Sequence, residues 1–185
     1  MLFRSKSPQF VIPIYQRTYS WTEGECRQLW EDIVRCGTDD RIAVHFIGSI
    51  VYIESGLSQV SHQAPLLVID GQQRLTTVSL LLAALAEAVG EDEPFDGFTA
   101  RKIRNYFLLN SEEAGDRYYK VLLSQTDKPS LTAIVGQNEL PKEKSLRVTE
   151  NFALFKAWLT QSKSDLAVIC KGIAKLVIEI GRAHV

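Results

Sequence analysis

Apolar positions along the chain change period from segment to segment. In "TEGECRQLWEDIVRCG", Cys26, Leu29, Trp30 and Ile33 fall three or four residues apart, the spacing of one helix face. Thr22 and Glu25 supply a capping box ahead of that face, and Gly37 is a plausible stop. Just upstream, residues 9–13 are extended, because Pro13 turns Ile12 away from helical geometry. "VHFIGSIVYIES" is rich in β-branched and aromatic residues and predicts a strand. A polar stretch, residues 56–65, leads to a second strand over residues 66–69. The longest helical pattern follows, Gln72–Val89, closed by Gly90.

Beyond residue 90 the pattern weakens. "EDEPFDGF" is an acidic, Pro- and Gly-containing break and the best candidate for a lobe boundary. "RKIRNYFLLN" and "RYYKVLLS" are short elements of uncertain type. "SLRVTENFALFKAWLTQ" predicts an amphipathic helix with Phe152, Phe155, Trp158 and Leu159 on one face. "SDLAVICKGIAKL" predicts another, capped by Ser164 or Asp165, and residues 177–180 read as a buried strand. The expected fold class is α+β, a small mixed sheet with packed helices followed by a more helical lobe. The expected divisions are residues 1–90, residues 91–179 and residues 180–185. Back-translated as ATC GGA AGA GCA CAC GTC, that last stretch spells a common sequencing adapter whose next in-frame codon is a stop. Residues 180–185, His184 included, are therefore expected to be a non-native tail on a C-terminally truncated fragment.

Composition narrows the class of protein. With 45% hydrophobic and 23% charged residues, the chain has enough apolar material for a real core. A formal net charge of -1 gives no broad electrostatic pull on nucleic acid, so any DNA contact must come from a local cluster. Cys26, Cys36 and Cys170 contain no C-x-x-C pair and are odd in number, which reads as reduced thiols in a cytoplasmic protein. The start "MLFRSKSPQF" lacks the apolar core of a signal peptide. The longest apolar run, residues 78–86, is interrupted by Ser79 and is too short to span a bilayer, so no membrane partner is expected.

Familiar catalytic signatures are absent: no G-x-x-x-x-G-K-[ST], G-x-G-x-x-G, G-x-S-x-G or H-E-x-x-H occurs. His45 and His62 are far apart with no cysteine cluster, which leaves zinc almost without support. The junction "VIDGQQR" offers more. A helix N-terminus presents unpaired N–H groups and partial positive charge, and can hold phosphate oxygens. Gly71 lets a ligand approach the turn closely. Arg74 can fork onto two phosphate oxygens, and Asp70 supplies hard oxygen for a divalent cation or orients a water. Gln72 and Gln73 can hydrogen-bond ribose, base or water. Asp-Gly turns are common, however. Spacing alone slightly favours a plain turn, with Asp70 capping the helix and Arg74 paired to a surface acid. A second cluster, "IPIYQRTYSW", sets Arg17 among Tyr15, Gln16, Tyr19 and Trp21, a mixture able to stack bases or sugars and grip phosphate. It can equally be a hydrophobic staple for the helix that follows.

Together and in order, "FVIPIYQRTYSW", "FIGSIVYIE" and "VIDGQQRLTTVSLLLAAL" resemble the N-terminal domain of GmrSD-type type IV restriction proteins. "GDRYYKVLLSQTDKPSL" and "NFALFKAWL" extend a looser likeness to about residue 160. The resemblance implies a ParB/sulfiredoxin-like first lobe and nucleoside triphosphate binding and hydrolysis around D-G-Q-Q-R. It also implies coupling to a C-terminal nuclease domain, often of the His-Asn-His type, that cuts modified foreign DNA. The family's first motif falls on Ile12, Pro13, Tyr15, Gln16 and Arg17, its second on Asp70, Gly71, Gln72, Gln73 and Arg74. Thr18 stands where the family often has proline, and the chain contains no nuclease motif. The expected assignment has Asp70, Arg74 and Gln73 catalytic, with Asp70 also holding Mg²⁺. Gly71, Gln72, Arg17 and Gln16 bind the nucleotide or its phosphates, and Tyr15, Pro13 and Trp21 recognise DNA or its modification. The main alternative is a non-enzymatic module that senses modified DNA through the residue 13–21 loop; a protein-interaction domain is a third.

Overall fold

The computed structural model describes residues 8–54, 64–161 and 165–183. It is α+β, as the hydrophobic pattern predicts. The elements that matter for the site are β1 (Phe10–Val11), α1 (Glu23–Thr38), β2 (His45–Glu54), β3 (Leu66–Asp70) and α2 (Gln72–Val89). The second half adds the short helix α3 (Ala100–Lys102), continued by a π-helical turn (Ile103–Leu108), and a 3₁₀ turn (Gly115–Tyr118). It then adds β4 (Val121–Leu122), α4 (Asp127–Gly136), α5 (Leu146–Gln161), α6 (Leu166–Ala174) and β5 (Leu176–Arg182).

The five strands form one mixed sheet in the order β4-β1-β3-β2-β5. The β2–β3 pair is antiparallel, and the other three neighbours are parallel. Both outer strands come from beyond residue 91. Phe10 is in register with Val121 at one edge, and Ile50 with Ile180 at the other. Residues on both sides of the acidic break also share one hydrophobic core, from Phe10 and Val68 to Phe155 and Cys170. Helix α2 lies within it. Apart from Glu87 and Ala88, every α2 residue after Arg74 is buried, the mark of a helix packed on all sides.

Several expectations change in detail. The Thr22–Glu25 capping box forms, but α1 runs through Gly37 to Thr38. Gly37 is a contact residue and not a stop: a Cβ there would lie 2.0 Å from the Val168 carbonyl oxygen of α6. Asp165 stands at the start of α6 without a side-chain capping bond, and Ser164 lies outside the described residues. The strand at residues 177–180 is an edge strand, not a buried one, and Val177 is 43% exposed. It continues past residue 180: Gly181 and Arg182 pair with Val51 and Tyr52, and the Ala183 N–H donates to Tyr52 O. Most of the predicted polar loop, with His62 and His184, falls outside the described residues. Among the described residues no helix is long and apolar enough to cross a membrane.

Candidate functional site: two motifs joined by glutamine amides

Strand β3 ends at Asp70, and the chain turns into α2 through Gly71. Gly71 has φ +89°, and a Cβ on it would sit 2.6 Å from the Ser49 carbonyl oxygen of β2. Both facts demand glycine. The plain-turn reading required Asp70 to cap α2, and it does not. Gly71 is the N-cap and no side chain caps the helix, while Asp70 is exposed. Nor does Arg74 pair with an acid: among the described ion pairs it has none. Its Nη1 donates instead to Ser49 O at 2.9 Å.

Gly48 makes that position possible. β2 loses register with β5 between Phe46 and Ser49, and Gly48 has φ +109° with the Arg74 guanidinium where its Cβ would be, 2.5 Å from Cζ. A glycine inside a strand pattern signals a bulge or a close approach, and here it is both. That signal was present in "FIGSI", although Gly48 was not among the expected site residues.

The two glutamines face inward. Gln72 and Gln73 are 8% and 6% exposed. Gln73 Nε2 donates to Thr18 O at 3.1 Å, and its Oε1 accepts from the Ser20 N–H at 2.8 Å. Gln72 Nε2 donates to Gln16 Oε1 at 3.3 Å, and Gln16 Nε2 donates to Ile69 O at 3.0 Å. The second motif is thereby bound to the first at residues 16, 18 and 20. Between those points Arg17 is exposed. A turn closed by Gln16 N–H to Pro13 O at 3.0 Å lifts the tip of the loop, where Ile14 and Tyr15 are 73% and 69% exposed. Pro13 and Trp21 are half-buried, and Trp21 packs against the core.

Tyr19 departs most from the aromatic-cluster expectation. It is 5% exposed and is not displayed for stacking. Its hydroxyl lies 2.7 Å from Thr77 Oγ1 and accepts from Asn151 Nδ2 at 2.9 Å. Thr77 spends its own proton on Gln73 O at 2.8 Å, so Tyr19 is the donor to Thr77. Burial, the largest cause, raises the Tyr19 pKa well above that of an ordinary phenol, which keeps the donor protonated. Its N–H donates to Asp127 Oδ2 at 2.6 Å. Tyr19 was expected only as a member of the aromatic cluster, and its partners Thr77, Asp127 and Asn151 were not among the expected site residues. No short-range pattern marks these three, since they lie 58 to 132 residues from Tyr19.

An apolar cavity lies elsewhere. About 380 Å³ opens between Ile47 of β2, Val78 and Leu82 of α2, Tyr106 and Phe107 of the π-helical turn, and β5. Its walls are almost wholly apolar and contain no residue of either motif. Among the described residues no group of three or more His, Cys, Asp or Glu stands ready to hold a metal ion.

A sheet-and-helix domain with this turn at the end of β3 fits the expected class, and comparison with known families agrees. The family described as the N-terminal domain of GmrSD restriction endonuclease matches residues 1–180. The chain belongs to that family and is a domain of a type IV restriction system. No curated protein matches it.

Proposed function

We propose that this domain binds and hydrolyses a nucleoside triphosphate at the β3–α2 junction and so regulates restriction of modified foreign DNA. One observation carries the reading: among the described residues, α2 starts with no side chain capping it, between an exposed carboxylate, Asp70, and a cation with no acidic partner, Arg74. Uncapped N–H groups and a nearby guanidinium are what phosphoryl oxygens need. Proteins contribute to phosphoryl transfer mainly by positioning groups and neutralising charge. Arg74, Arg17 and the helix N-terminus stabilise charge on the transferring group. Asp70 orients water or holds Mg²⁺. A lone carboxylate suits magnesium that arrives with the triphosphate, because Mg²⁺ keeps water and phosphate oxygens as its other ligands. Bound there, the ion would neutralise charge on the phosphate oxygens. Gln73, with both amide atoms bonded to the loop, serves here to hold it; Gln16 and Gln72 bridge the two motifs. The expected downstream partner is a nuclease domain, C-terminal in the full-length protein.

The second reading, a non-enzymatic sensor of modified DNA, draws on the exposed loop tip. Ile14, Tyr15 and Arg17 offer apolar, aromatic and cationic groups to a base and its phosphate. The test is phosphate release from a panel of nucleoside triphosphates with Mg²⁺, beside Asp70→Asn and Arg74→Ala. Turnover that is lost in both variants and on chelation of Mg²⁺ supports hydrolysis. No turnover with or without DNA, beside DNA binding that ignores nucleotide, supports the sensor.

A further inference from the structure

The loop of residues 13–21 is gripped from two sides. From α2, Gln72 and Gln73 hold residues 16, 18 and 20. The second grip comes from a part of the chain that neither motif contains. Gln125, at φ +53°, donates from Nε2 to Ile14 O at 3.1 Å. Two residues on, the buried carboxylate of Asp127 accepts the Tyr19 N–H. From α5, Asn151, 2% exposed, donates through one amide nitrogen to the Tyr19 hydroxyl at 2.9 Å and to Trp21 O at 2.8 Å. These bonds form a directed chain, Asn151 N–H to Tyr19 O–H to Thr77 O–H to Gln73 C=O. It links α5 to the first turn of α2. The Gln73 side chain then returns to the loop, closing a circuit around the exposed Arg17.

We propose that Gln125, Asp127 and Asn151 are positioning residues. They fix the residue 13–21 loop against α2 and so set where Arg17 stands relative to Asp70 and Arg74. The second half of the chain thus governs the competence of a site whose chemical groups all lie in the first half. A movement of α5 or of Asp127 reaches the site through Tyr19, and one of Gln125 through Ile14. The inference rests on the hydrolytic reading for its effect on turnover, but not for its effect on the loop.

The test separates the two. Residue-resolved amide exchange is measured on Asn151→Leu and on Gln125→Asn, whose shorter side chain tolerates the same left-handed backbone and leaves the core untouched. Asn151→Leu should speed exchange at Tyr19 and Ser20 about tenfold, the scale of one lost buried hydrogen bond, with residues 80–85 of α2 unchanged. Gln125→Asn should speed exchange at Gln16, whose amide closes the loop turn. Asp127→Asn keeps an acceptor oxygen and should leave Tyr19 protected. Turnover should fall about tenfold in Asn151→Leu, mostly in kcat, and should fall no further when Arg17→Ala is already present. Unchanged loop exchange in both Asn151→Leu and Gln125→Asn overturns the inference. So does uniform acceleration at loop and α2 alike, or a turnover loss that adds fully to that of Arg17→Ala. If no triphosphate is hydrolysed, the proposed function falls while the exchange data still decide the positioning role.

Discussion

The two motifs use similar residues in opposite proportions. In D-G-Q-Q-R the junction is built from backbone: a strand end, a left-handed glycine and a helix start, all seated on β2. Its side chains divide, with Gln72 and Gln73 turned inward and Asp70 exposed. In I-P-I-Y-Q-R-T-Y-S-W no regular element exists, and side chains of distant residues do the holding. Both motifs nonetheless separate groups that hold from groups that are offered. Gln16, Tyr19, Gln72 and Gln73 hold, whereas Asp70, Arg17 and Tyr15 are offered and Arg74 does some of each. A run of polar letters is therefore not a list of catalytic residues. Burial and satisfied bonds decide which of them remain available.

That division is sharpest at Arg74. Arg74→Ala should cut turnover by about 10²–10³, the scale of removing one preorganised charge donor. Its melting temperature should stay near that of the parent, since among the described residues one side-chain bond, to Ser49 O, is lost. Retained turnover in a folded variant would move the chemistry away from this turn. Gly48→Ala tests the same guanidinium from the strand side. The added Cβ collides with it at φ +109°, so stability should drop by about 1–3 kcal/mol for the strained backbone, and turnover should fall as Arg74 is displaced. A parent-like melt and rate would show that the bulge is not what seats Arg74.

The holding groups should behave in the reverse sense. Gln73→Ala leaves the Ser20 N–H and the Thr18 carbonyl without partners, a loss of about 1–2 kcal/mol in urea unfolding. Turnover should be restored in part when excess nucleotide and Mg²⁺ order the loop. Tyr15→Ala gives the smallest effect on the fold, within about 0.5 kcal/mol for an exposed side chain. It should weaken DNA binding while nucleotide hydrolysis without DNA continues. A large stability loss there would mean that the tip is packed against something in solution.

The apolar cavity beneath the middle of α2 is a useful contrast with the candidate site. At about 380 Å³ it has room for a small ligand, yet it offers almost no polar group to orient one. The candidate site is polar, and the cavity contains none of its residues. Enclosed volume and polar groups thus lie at different places along the same helix.

Much of the architecture was legible because it is local. The Thr22–Glu25 box, the β-branched run of β2 and the bounds of α2 between Gly71 and Gly90 each follow from residues within one or two turns of one another. The sequence by itself also determined that an acid, a glycine and an arginine would sit at a strand-to-helix junction, since spacing along the chain is enough for that. Only the tertiary structure decided that Asp70 leaves the helix uncapped, that Gly48 makes room for Arg74, and that Gln73 is occupied by the loop. It also decided that Tyr19, read as a displayed aromatic, is the buried donor between α5 and α2. The physical reason is the same each time. Periodicity records which side of its own element a residue faces, whereas a hydrogen bond between residues 19 and 151 depends on how separate elements pack, and no nearby residue encodes that.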